Sequence, residues 1–136
     1  MKIELLKFNE GAKAPKYGRD LDAGADIFLP QNFVLKPGMN KVPLGVGIKL
    51  PAGTEGQVRP RSGTLLRGIA IHNPPIDPGY TGEIHALAEN KTDDAIQLFK
   101  GERICQLVIV AGIVRADFVD KVKSDRGDKG FNSSGR

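Results

Sequence analysis

The chain has 136 residues and a formal net charge of +4, with 40% hydrophobic and 26% charged residues. That length suits one domain and is too short for two, and the composition excludes disorder of the whole chain. A single cysteine excludes an internal disulfide, and no block of like charge stands out to grip a polynucleotide, so the positive balance fits a small, highly charged anion as well as it fits DNA.

At the start, MKIELLKFNE, Glu4 and Lys7 interrupt the apolar residues, so no secretion signal is expected there. From Val42 onward, Val42, Leu44, Val46, Ile48 and Leu50 alternate with other residues, the period of a strand with one buried face. A short helix is predicted around Ser62 to Arg67, with Ser62 or Thr64 capping its first turn. Further β-prone runs follow at Ile84 to Leu87, Ala95 to Phe99, Ile104 to Val110 and Ala116 to Val122, punctuated by Gly, Pro, Asn or Asp. This rhythm predicts an all-β sandwich or barrel with at most one short helix, and excludes a fold built on βαβ crossovers. The longest apolar run, LVIVAGIV from Leu107, is far short of a membrane span, so a cytoplasmic chain without membrane contact is expected. RGDKGFNSSGR from Arg126, rich in Gly and Ser, reads as a flexible arm, dividing the chain into a β domain over 1–125 and an arm over 126–136.

Five segments place polar groups in turns between these runs. In AGAD, Ala23 to Asp26, small residues let backbone pass close to a neighbour, and Asp26 is either a structural turn carboxylate or a holder of a hydrated cation. RPRSG, Arg59 to Gly63, sets Arg61, Ser62 and Gly63 at the start of the short helix, either as an exposed basic turn or as a phosphate cradle. IDPGYTGEI, Ile76 to Ile84, contains Asp-Pro-Gly, a good β-turn in its own right. The aromatic Tyr80 directly after it raises a second reading, a rigidly held Asp77 that activates a water beside a ring-shaped ligand. In GERICQL, Gly101 to Leu107, Gln106 is the odd polar residue of a buried strand, expected to bond backbone, and Cys105 reads as packing rather than as a nucleophile. The arm carries Arg126, Lys129, Phe131, Ser133 and Ser134, a set able to fold over a polyphosphate while Phe131 stacks on a base. No Walker A, H-E-x-x-H or G-x-S-x-G signature is present, His72 and His85 have no third metal-ligand candidate at the usual spacing, and the Asn90-Lys91-Thr92 sequon reads as accidental.

Together and in this order, the five segments closely resemble the motifs of the trimeric dUTP diphosphatase (dUTPase) family, from Ala23 to Gly135. The resemblance implies a jelly-roll-like β-sandwich protomer, a homotrimer with active sites shared between subunits, and magnesium-assisted hydrolysis of dUTP to dUMP and pyrophosphate. That reaction removes dUTP from the nucleotide pool and supplies dUMP for dTMP synthesis. Carried over by motif, Asp77 activates the attacking water and Tyr80 packs on deoxyribose, leaving no space for a 2′-hydroxyl. Arg61, Ser62, Gly63 and Gln106 bind phosphates, Asp26 reaches Mg2+ through water, and Asn73 and Ile76 contact uracil. Arg126 meets the γ-phosphate, Phe131 stacks on uracil, and Ser133 and Ser134 add phosphate contacts. Two departures stand out: Pro74 and Pro75 occupy a loop where many relatives carry a glycine and a slightly longer stretch, and Asn132 replaces a glycine after the arm's Phe.

Two rivals share the scaffold. A dCTP deaminase resembles the family in fold and trimer but places a catalytic glutamate where this chain has Leu87. A non-catalytic nucleotide-sensing protein is the other, opposed by the presence of every expected catalytic residue.

Overall fold

A computed structural model of the chain describes residues 1–123. The alternating set from Val42 to Leu50 is buried throughout, as its period requires, but it does not form one strand. β5 (Gly38–Pro43) and β6 (Val46–Lys49) are separate elements, because the chain turns at Gly45, whose φ of +77° disfavours any residue with a Cβ. The break hands the chain from one sheet to another while the same side continues to face the core.

The other elements are β1 (Glu4–Lys7), β2 (Lys16–Tyr17), β3 (Ala25–Ile27), β4 (Phe33–Leu35), β7 (Thr54–Pro60), α1 (Ser62–Leu66), β8 (Ile69–Ile71), β9 (His85–Asn90), β10 (Ile96–Leu98) and β11 (Cys105–Ala111). Every named pairing is antiparallel. One sheet runs β2-β3-β11-β7 and another β5-β9-β8, with two-stranded ladders β1-β6 and β10-β4 beside them. The result is the expected all-β, jelly-roll-like architecture, with α1 the one helix among the described residues. None of the described helices is long and apolar enough to cross a membrane.

Inward residues of the strands, among them Ile27, Val42, Val46, Val58, Ala86 and Leu107, close on Leu29, Leu44, Ile84 and Ile104 to make a continuous core. The polar side chains inside it are satisfied, as burial demands. Asn90, 2% exposed, donates from Nδ2 to the carbonyls of Leu35 (3.0 Å) and Asp94 (2.8 Å) and accepts from the N–H and hydroxyl of Thr92. The sequon is therefore a buried turn clasp whose acceptor nitrogen is already engaged.

Two local expectations are corrected. The residue capping α1 is Arg61, with extended φ −96° and ψ 152°, and no side chain caps the helix; Ser62 is its first helical residue and Thr64 lies buried inside it. Ala116 to Val122 forms no strand, and all residues from 111 to 123 are exposed, Phe118 at 96%. β-propensity expresses a fit to neighbouring strands, and among the described residues no strand pairs with the segment.

Candidate active site

The structure gathers most of the singled-out residues into two cavities, Gly63 lining neither. The first, about 270 Å³, is lined by Asn73, Pro74, Pro75, Ile76, Asp77 and Tyr80 from the β8–β9 connection, by Glu83, Ile84, His85 and Leu87, and by Lys41 of β5. Asp77-Pro78-Gly79-Tyr80 is the β-turn its composition predicts, with the Tyr80 N–H donating to the Asp77 carbonyl at 3.0 Å. The Tyr80 hydroxyl donates to the Glu83 carbonyl at 2.6 Å, so the ring is held at both ends. Gly82 sits under it, where a Cβ would come within 2.8 Å of the hydroxyl oxygen. The Asp77 carboxylate, by contrast, is exposed and takes no hydrogen bond or ion pair among the described residues. Asn73 mimics a strand residue: its Nδ2 donates to the His85 carbonyl (2.7 Å) and its Oδ1 accepts the Leu87 N–H (2.8 Å). Ile76 is buried, and its N–H and carbonyl are both spent on Gly56 of β7, at 2.7 and 3.0 Å. The loop carrying Pro74 and Pro75 is thus stitched to β9 on one side and to β7 on the other.

The second cavity is bounded by Ala23, Gly24, Asp26, Arg59, Arg61, Ser62 and Gln106, with Asp22, Pro60, Leu65 and Val108. Antiparallel register explains the gathering, since β11 lies between β3 and β7 with Gln106 opposite both Asp26 and Arg59. Gln106 donates from Nε2 to the Pro60 carbonyl at 2.9 Å, the backbone bond expected of a strand glutamine. A Cβ on Gly24 would lie 2.2 Å from Gln106 Oε1, which is why this motif needs a glycine. Asp26, its side chain 13% exposed, accepts from Arg61 Nε at 2.9 Å and from Arg103 Nη1 at 3.1 Å. Arg61 Nη1 also donates to the Arg103 carbonyl at 3.2 Å. A Cβ on Gly63 would meet nothing within 4 Å, so the protein's own packing does not call for glycine there.

Cys105 lies behind this cavity, fully buried. Burial pushes its thiol up to about 12, the Asp26 carboxylate adds in the same direction and Arg61 opposes. A thiol held protonated in the core is packing, as its strand setting implied.

The two cavities are not one. Ile76 bridges to Gly56, and Pro60 lies four residues further along β7, about 13 Å at the rise of an antiparallel strand. Within one chain, Asp77 and Tyr80 thus stand apart from Asp26, Arg61 and Gln106. Arg126, Phe131, Ser133 and Ser134 lie outside the described residues. Lys41 was not singled out from the sequence, its place opposite Leu87 being a matter of strand register, and neither was Arg103, 77 residues from the carboxylate it grips. Only the proximity of Arg103 to Gln106 in one motif hinted at it.

Comparison with known proteins gives one answer. A chain from Clostridium tetani (strain Massachusetts / E88) named deoxyuridine 5′-triphosphate nucleotidohydrolase is 42% identical, the match covering 100% of this chain and 97% of that one. One of the same name from Clostridium kluyveri is 38% identical over 99% of each. Among solved structures, the dUTPase of Staphylococcus bacteriophage 80alpha with dUPNHPP superposes with a TM-score of 0.79 and 28% identity, covering 99% of both chains. The dUTPase family model matches residues 10–135, which takes in all five motifs, the β-rich core and both cavities; with fold, motif order and near full-length relatives in agreement, the chain belongs to the dUTPase family.

Proposed function

We propose that this chain is a dUTP diphosphatase, an enzyme that hydrolyses dUTP to dUMP and pyrophosphate. The observation that carries the reading is Asp77: a carboxylate with no hydrogen-bond or ion-pair partner among the described residues, on a rigid turn lining a mostly apolar cavity, next to a ring pinned at both ends. Such a carboxylate accepts a proton from a water as the water's oxygen bonds to the α-phosphorus. The bond from that phosphorus to the oxygen bridging to the β-phosphate then breaks, and pyrophosphate leaves. Tyr80 forms a fixed wall for the deoxyribose, and Asn73 and Ile76 shape the slot for uracil through the backbone they hold in place. Arg61, Ser62, Gly63 and Gln106 receive the phosphates, whose charge is the main obstacle to attack. The arm over 126–136 adds Arg126, Phe131, Ser133 and Ser134 to this set.

Magnesium fits the second cavity in one way. No group of three or more His, Cys, Asp or Glu gathers to coordinate a metal among the described residues, so these residues by themselves offer no cage. Asp26 accepts one guanidinium N–H on each oxygen and keeps lone pairs for a metal-bound water, which suits an ion brought by the substrate's phosphates. When bound, Mg2+ supplies neutralisation of the triphosphate charge.

Two observations support a homotrimer with shared sites. The candidate residues are divided between separate cavities within one chain, and the segment after β11 exposes Val114, Phe118, Val119 and Val122, apolar surface suited to burial against another subunit. Light scattering at micromolar concentration is expected to give three times the chain mass; a monomer would contradict the reading.

The deaminase rival is disfavoured because Leu87, at the position of its glutamate, presents an apolar side chain to the first cavity. Incubation with dUTP, dCTP, dTTP and UTP, following pyrophosphate and ammonia, tests all three readings. Pyrophosphate from dUTP with strong preference over dTTP and UTP is expected. Ammonia from dCTP would indicate the deaminase, and no product from any of the four would indicate a sensor.

A further inference from the structure

The geometry points to Arg103 as a positioning residue for the reaction, acting through Arg61. The inference rests on the second cavity being the phosphate site. Arg103 does not line that cavity, yet it holds Arg61 by two routes. Its carbonyl accepts from Arg61 Nη1 at 3.2 Å, and its own Nη1 donates to Asp26 Oδ2 at 3.1 Å while Asp26 Oδ1 accepts Arg61 Nε at 2.9 Å. A guanidinium carries five N–H donors. Two of those on Arg61 are committed to this frame, which fixes the plane of the group and leaves three for a phosphate.

The frame is anchored on its far side. The Arg103 guanidinium lies over the Phe28 ring, 6.0 Å from its centroid, and Lys13 Nζ lies over the same ring at 5.7 Å. Asp26 is mostly buried, so without Arg103 one of its oxygens is left without a protein donor, and the carboxylate is free to rotate and draw Arg61 with it. A misplacement of the order of 1 Å at a phosphate-aligning group is worth about 10²-fold in rate. The carbonyl contact survives any side-chain substitution at 103, so the expected loss is smaller than that of removing Arg61.

The test is a double-mutant cycle on the full-length protein with dUTP and Mg2+, using Arg103→Met, Arg61→Met and the double variant, with melting temperatures recorded alongside. Arg103→Met is expected to lower kcat/KM about tenfold and Arg61→Met about 10²-fold, the scale of electrostatic alignment effects. The double variant should match Arg61→Met alone, because Arg103 has nothing left to position. Arg103→Lys, which keeps the cation but not the fork, should recover only part of the loss. Multiplying losses in the double variant, or an unchanged kcat/KM in Arg103→Met, overturns the assignment. A general structural role would lower melting temperature and penalise activity equally in both backgrounds. If Arg103→Met does not fold, the same cycle run with Arg103→Lys decides. Failure of the underlying reading is distinguishable, since it would show as undiminished dUTP hydrolysis in Arg61→Met with Arg103 still present.

Discussion

Replacing Asp77 by Asn is expected to lower kcat on dUTP by about 10²- to 10⁴-fold, the scale of a lost general base, while KM and the fold are retained. The amide is the same size, and the Asp77 carboxylate makes no hydrogen bond or ion pair among the described residues that the fold would lose. The turn is held instead by main-chain atoms, the Tyr80 N–H on the Asp77 carbonyl, and by Pro78 and Gly79. Calorimetric titration with a non-hydrolysable dUTP analogue separates binding from turnover. Equal kcat in the variant and the parent would remove Asp77 from the mechanism, and loss of analogue binding would make it a ligand rather than a base.

A chain ending at Asp125 is expected to fold with a nearly unchanged melting temperature and to lose on the order of 10²-fold in kcat, as aligned charge and water exclusion are lost together. The deletion removes the charge of Arg126, the ring of Phe131 and the hydroxyls of Ser133 and Ser134. Among the described residues, the members of the core all lie at or before Leu107, apart from the half-buried Ile109 packed against it. On the full chain, magnesium with a non-hydrolysable dUTP analogue should slow tryptic cleavage at Lys123, Arg126 and Lys129. Normal turnover by the truncated chain, or no protection by the ligand, would reduce the fifth motif to a linker.

Both predictions draw on residues that were identifiable without coordinates, and the reason is that their chemistry is local. Asp-Pro-Gly favours its turn through the backbone preferences of its own residues, and Arg61, Ser62 and Gly63 come together at the start of α1 because they are consecutive. Period-two alternation likewise predicts which side chains are buried, and each of Val42, Leu44, Val46, Ile48 and Leu50 is. Alternation is silent on partners, however. It continued straight through Gly45, where the chain leaves β5, paired with β9, for β6, paired with β1. The same silence misled at Ala116 to Val122, where propensity was adequate and no strand among the described residues pairs with the segment.

The sequence by itself determined the all-β class, the burial pattern, the turn carrying Asp77 and, through five ordered motifs, the family. Each depends on residues within a few positions of one another. Tertiary structure alone decided that Gln106 packs on Gly24, that Lys41 and Leu87 face the Asp77 cavity, that Arg103 reaches Asp26, and that the candidate residues form two cavities rather than one. These are consequences of strand register and sheet order, which bring together residues tens of positions apart, and the free energy selecting them is spread over the whole core rather than written in any local pattern.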